Sequence, residues 1–151
     1  MKAKTDPRHN SRKLALSSIF CWLFNDTETE ACALLSKEHL DSEEIDQFLT
    51  DYIVGSVKEH LDDIDSIIEK AAPEWPIEKI SKVDLVILRI AIAEIVFGNK
   101  TPVKVGIDEA VELAKEFGND TSHKFVNGVL GTVVEDLGKS RGKNKSEVEI
   151  K

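Results

Sequence analysis

Residues 83–98, VDLVILRIAIAEIVFG, constrain the fold more than any other stretch of this chain. Read at 3.6 residues per turn, the segment is apolar on nearly every side, which is the pattern of a helix surrounded by other helices. Only Asp84, Arg89 and Glu94 interrupt it. At 16 residues with three charges it is a poor membrane span, which needs about 20 apolar residues. A charge inside a protein must be paired or reach water. Arg89 and Glu94 are therefore expected to make structural ion pairs rather than to catalyse. The pattern predicts a central helix over residues 77–97, stopped by Gly98.

The rest of the chain supplies the helices that would surround it. Asn10 or Ser11 can cap a first helix reaching Phe24, with Leu14, Ile19, Trp22 and Leu23 at helical spacing. A short helix is expected over 29–37. Ser42 opens a third, with Glu43 and Glu44 in its first turn, where acids suit the helix dipole. Its apolar stripe runs from Ile45 through Phe48, Tyr52 and Val57 to Ile68, with a bend near Gly55 or His60. The segment AAPEWP ends it, because Pro73 and Pro76 both resist helix continuation. Helices over 105–117 and from Thr121 or Ser122 to Leu137 complete the set. The expectation is an all-α fold of about seven helices and no strand. Residues 1–9 read as a flexible basic arm, 10–137 as one helical domain with a seam near 72–77, and 138–151 as a disordered polar tail.

Charge is distributed unevenly. The net charge is −8 over 151 residues. Yet the first thirteen residues set Lys2, Lys4, Arg8, Arg12 and Lys13 against Asp6, while residues 26–65 set thirteen acids against Lys37 and Lys58. A basic arm beside an acidic flank can confine a polyanion to one side, although solvated surfaces give the same pattern. The N-terminus lacks the apolar core of a signal peptide. Together with the missing membrane span, this points to the cytoplasm. Cys21 and Cys32 make no disulfide framework and are expected to be free thiols.

No catalytic constellation stands out. The histidines His9, His39, His60 and His123 have no helical metal-ligand spacing, and phosphate-binding and nucleophile motifs are absent from the sequence. No enzyme activity, metal or cofactor is expected. The segment TSHKFVNGVLG, residues 121–131, has two faces. Phe125, Val126, Val129, Leu130 and Val133 face a core. Lys124, Asn127, Gly128 and Gly131 line the other side at i, i+3, i+4 and i+7. The small, polar stripe suits either close packing of another helix or the approach of an extended polymer, with packing favoured by periodicity.

These segments carry a resemblance. LRIAIAEI (88–95), TPVKVGIDEAVELAKEFG (101–118) and SHKFVNGVL (122–130) resemble the NusB family of transcription antitermination factors in content, order and spacing, and SRKLALSSIFCWLF resembles its first helix. The resemblance runs from about residue 8 to residue 137, more loosely in the first half. It implies two helical subdomains and a non-enzymatic adaptor that binds boxA RNA. The implied partner is NusE, also a small-subunit ribosomal protein, acting with NusA and NusG on RNA polymerase. The family also admits self-association. By the resemblance, RNA contacts fall on Arg8, Arg12, Lys13, Phe20, Lys124, Phe125 and Asn127, and a partner contact on Asp84. The arm is sparser in arginine than is usual in the family, Phe20 stands where tyrosine is common, and Thr121 where an acid is. The alternatives are a protein-binding helical module and an accessory domain in ribosomal RNA maturation or methylation.

Overall fold

The computed structural model describes residues 6–24, 45–98 and 101–149, with side chains up to residue 138. Six α-helices appear among them: α1 (Pro7–Phe24), α2 (Gln47–Glu59), α3 (Leu61–Ala71), α4 (Lys82–Ile92), α5 (Val103–Phe117) and α6 (Ser122–Glu149). No strand occurs among the described residues. The helix expected over 29–37 lies outside them, as does Ser42.

The apolar segment is the hub. Asp84 to Ile92 of α4 are all buried, and α4 packs against each of the other five helices. Ile53 and Val57 of α2, Ile64 and Ile68 of α3, Leu113 of α5 and Leu130 of α6 close the core with it. Burying each such side chain stabilises the fold by roughly 1.5–3 kcal/mol. The chain leaves α4 through a π-helical turn, Ala93–Gly98. Gly98 lies close to Tyr52 there, since an added Cβ would sit 2.7 Å from the Tyr52 hydroxyl, which would have to move aside.

Several boundaries differ from the sequence-based expectation, each for a local reason. Helix α1 starts at Pro7, since proline is preset for a first helical position and Asp6 Oδ1 accepts from Arg8 N at 2.8 Å. Part of the expected arm is therefore helical. Ser11 is not a cap. It is buried, and its Oγ accepts from Asp46 N at 2.6 Å. Asp46 in turn caps α2 by accepting from Leu49 N at 3.1 Å. The apolar stripe of α2 and α3 breaks at His60, one of the two expected positions, where the ring stacks on Phe97 with centroids 4.2 Å apart. Residues 77–79 form a separate 3-10 turn, after which Ser81 caps α4 by accepting from Asp84 N. The backbone of α6 runs to Glu149, beyond the expected end at Leu137. Cys21 is disulfide-bonded, which overturns the free-thiol expectation for it, and Cys32 lies outside the described residues.

Helix α5 approaches the π-helical turn closely through Gly106, where an added Cβ would sit 2.7 Å from Ile95 Cγ1 and 3.0 Å from its Cδ1. Ile95 is itself buried and cannot swing away. Gly106→Ala should thus destabilise the protein by about 1–3 kcal/mol despite alanine's better helix propensity. Urea unfolding of the two proteins measures it, and a more stable variant would contradict the close contact.

Candidate nucleic-acid interface

The basic residues of α1 face acids on two other elements. Arg12 is 4% exposed. Its Nε and Nη2 donate to the two carboxylate oxygens of Glu94, each at 2.8 Å. Glu94 Oε1 also accepts from the Thr101 hydroxyl at 2.8 Å. Arg12 Nη1 reaches Glu109 at 3.4 Å. Burial alone would lower the Arg12 pKa, but the bonds and charge of Glu94 and Glu109 outweigh it and leave the pKa raised. The family resemblance implied an RNA contact at Arg12. In the structure Arg12 is buried against Glu94, a carboxylate on a buried turn that needs a cation.

His9 and Lys13 extend the same latch onto α5. His9 Nδ1 lies 2.8 Å from Glu109 and Nε2 lies 3.1 Å from Glu116. Lys13 Nζ is 3.8 Å from Glu116. Glu109 and Glu116 are seven residues apart, two turns of one helix, so both face α1. The hydrogen bond to Glu109 raises the His9 pKa, against burial, with Glu116 adding to the effect. The same bond lowers the Glu109 pKa, helped by the charge of Arg12 and opposed by burial. These acids were missed in the sequence, although their spacing on EAVELAKEF was a usable signal. Arg8, by contrast, is exposed and borders a cleft of about 340 Å³ with Phe48, Tyr52, Pro102 and Val105.

The other half of the expected surface lies on α6. Gly118, Asn119 and Ser122 shape the turn before it, with Asn119 N donating to Ser122 Oγ at 2.9 Å. Lys124 and Asn127 are exposed, and Phe125 is half-buried at the rim of the core. Phe125 meets Trp75 edge-to-face, with ring centroids 5.9 Å apart at 74°. A Cβ added at Gly128 or Gly131 would meet nothing within 4 Å among the described residues. Helix packing on this stripe, favoured by periodicity, is corrected: the stripe is open. Periodicity reports which residues share a face, not what lies against it. Phe20 is half-buried against the core. Asp84, expected at a partner contact, is 5% exposed, and its Oδ1 has no hydrogen bond among the described residues. Arg89, the other buried charge of α4, pairs bidentately with Asp65 of α3, at 2.9 Å for both bonds.

Two predictions follow the latch. Removing Arg12 or Glu94 singly strands a buried charge and should cost about 3 kcal/mol or more, whereas Arg12→Met with Glu94→Leu together should cost less than either single change. A double-mutant unfolding cycle measures this, and additive losses would refute it. The raised His9 pKa means that its stabilisation is full below its ordinary value of 6.5 and lost as pH rises through the folded value. That of Glu109, with its pKa lowered, is present above its ordinary 4.5 and lost as pH falls through the folded value. His9→Ala should accordingly destabilise more at about pH 5.5 than at about pH 8.5. Equal losses at both would place the latch outside His9 titration.

No helix among the described residues is long and apolar enough to cross a membrane, and none of them form a group of three metal-ligating side chains. Residues 9–135 match the NusB family. The transcription antitermination protein NusB of Chloroflexus aggregans is 45% identical over 132 residues, 84% of this chain and 86% of that one. That of Bacillus subtilis is 38% identical over 134 residues, 88% and 98% of the two chains. The structure of T. maritima NusB superposes with a TM-score of 0.73 at 30% identity, over 88% of this chain and 93% of that one. A crystal structure of the antitermination factors NusB and NusE in complex with double-stranded RNA shares the fold, with a TM-score of 0.73 at 24% identity over 85% and 96%. Since the match runs from the latch on α1, through the buried hub, to the open face of α6, the chain belongs to the NusB family.

Proposed function

We propose that this protein is a non-enzymatic, cytoplasmic RNA-binding adaptor for transcription antitermination. In this reading it pairs with NusE, holds boxA-type single-stranded RNA, and joins NusA, NusG and RNA polymerase to suppress premature termination of ribosomal RNA transcription. The observation that carries the reading is the open face of α6. Lys124 and Asn127 are exposed beside Phe125, and the glycines beyond them leave room for a polymer to lie against the helix. Single strands are held by stacking on aromatic rings and by donors to phosphates and base edges. Arg8 adds an exposed cation from α1, Lys13 adds one shared with Glu116 at 3.8 Å, and Phe20 adds a ring. Arg12 contributes by positioning α1 through Glu94 rather than by meeting phosphate. Asp84 is the partner-side candidate, buried in the free chain and one oxygen short of a hydrogen bond.

A second reading has one observation in its favour. His9, Arg12 and Lys13 are engaged by acids of the same chain, which reduces the charge left for phosphate. A protein-binding helical module that contacts NusE, or a second copy of itself, without needing RNA fits that economy of cations. An accessory role in ribosomal RNA maturation or methylation would use the same surface.

Titration of labelled boxA-type RNA, with a scrambled RNA as control, separates the readings. Under the leading one, boxA-type RNA binds more tightly than the scrambled RNA once NusE is added. Arg8→Gln and Lys124→Gln should each flatten the dependence of log affinity on log salt by about 0.7. Equal affinity for the two RNAs with NusE present would reject sequence-specific binding. Capture of NusE unaffected by RNA would favour the protein-binding module.

A further inference from the structure

Trp75 has no role in the features described so far, and its surroundings are unusual for so large an apolar residue. It is 47% exposed. Tryptophan in a folded domain ordinarily hides most of its ring, so a half-open one calls for a reason. Its backbone is nonetheless held firmly. Trp75 N donates to Ala72 O at 3.0 Å, closing a turn. Pro73 and Pro76 restrict the chain on either side. Lys79 N then donates to Pro76 O at 2.8 Å, carrying the turn into the 3-10 segment. Buried Ala72 and Ile80 anchor the two ends in the core. The ring is thus presented from a rigid support, which lowers the ordering cost of a contact made there.

Its contact with Phe125 indicates what that contact is. An edge-to-face pair at 74° uses at most one face of the indole. Beyond that contact, nearly half of Trp75 remains exposed, at 47%. Phe125 belongs to the α6 surface, next to Lys124 and one turn from the open glycines. Trp75 therefore continues that surface across the seam between α3 and α4. Its neighbours Glu74 and Glu78 are both exposed and would repel a phosphate. A flat, uncharged base avoids that repulsion, while Lys124 can take the phosphate.

We propose that Trp75 is a base-stacking residue of the RNA site, forming with Phe125 a two-ring corner that holds bases of a single strand apart. This rests on the RNA-binding reading above. Bases lying on rings inclined at 74° cannot stack on each other, so the strand is splayed at this point.

The test uses the full chain with NusE. Trp22→Phe leaves Trp75 as the sole tryptophan of this chain, and the same protein with Trp75→Phe serves as the blank. Adding boxA-type RNA to the preformed heterodimer should quench Trp75 emission. Trp75→Ala should weaken binding of labelled RNA by roughly 5- to 100-fold, and Trp75→Phe should recover most of the loss. Circular-dichroism melting checks each variant, and if Trp75→Ala unfolds, the quenching titration and Trp75→Phe carry the decision. Unchanged RNA affinity in Trp75→Ala with no quenching overturns the role of Trp75 and leaves RNA binding standing. A change in emission on adding NusE alone, with none on adding RNA, assigns the ring to the protein partner and also overturns the proposal. Absence of RNA binding by the unaltered protein removes both readings together.

Discussion

Glu94 is buried on the turn that ends the central helix, and Arg12 of α1 neutralises it with two bonds of 2.8 Å. Much of the arrangement hangs on that pairing. Apolar burial holds helices together but has no direction, so α1 could rotate or slide on α4 at little loss. A bidentate guanidinium–carboxylate pair permits one rotation and one register. Arg89 does the same for α3 through Asp65. The charges that interrupt the apolar hub thus determine how its neighbours sit. Such pairs add less to stability than to specificity, since desolvation offsets most of their attraction.

Fixing α1 in this way also decides which cations remain at the surface. Glu109 and Glu116 meet His9, Arg12 and Lys13 along the α1–α5 contact. The basic character of the arm is absorbed into the fold there. Arg8 at its start and Lys124 on α6 stay exposed. In a chain of net charge −8, exposed cations beside aromatic rings define a direction for a polyanion more sharply than a uniformly basic surface would. The open glycines and the Phe125–Trp75 pair then offer non-ionic contacts, which salt does not screen.

The all-helical fold was legible because its strongest signal is periodic. The segment 83–98 declared a buried helix, and its charges declared a need for partners. Local chemistry was legible in part: Pro102 and Gly118 bracket α5 as their sequence context implies. Helix starts were less so, since α2 is capped by Asp46 and α4 by Ser81, past the expected starts at Ser42 and residue 77. The candidate surface divided likewise. The two faces of α6 follow from spacing alone, whereas the emptiness beside Gly128 and Gly131 does not.

What the sequence determined by itself was which residues share a helix face, because 3.6-residue periodicity is a property of neighbours along the chain. What the tertiary structure alone decided was what each face meets. Arg12 and Glu94 are 82 residues apart, and nothing local distinguishes an arginine opposed by that carboxylate from one open to solvent. Trp75 and Phe125 likewise belong to separate segments, joined only because α3, α4 and α6 pack together. Partner identity is a fact of three-dimensional distance, and burial, ionisation and exposure all follow from it.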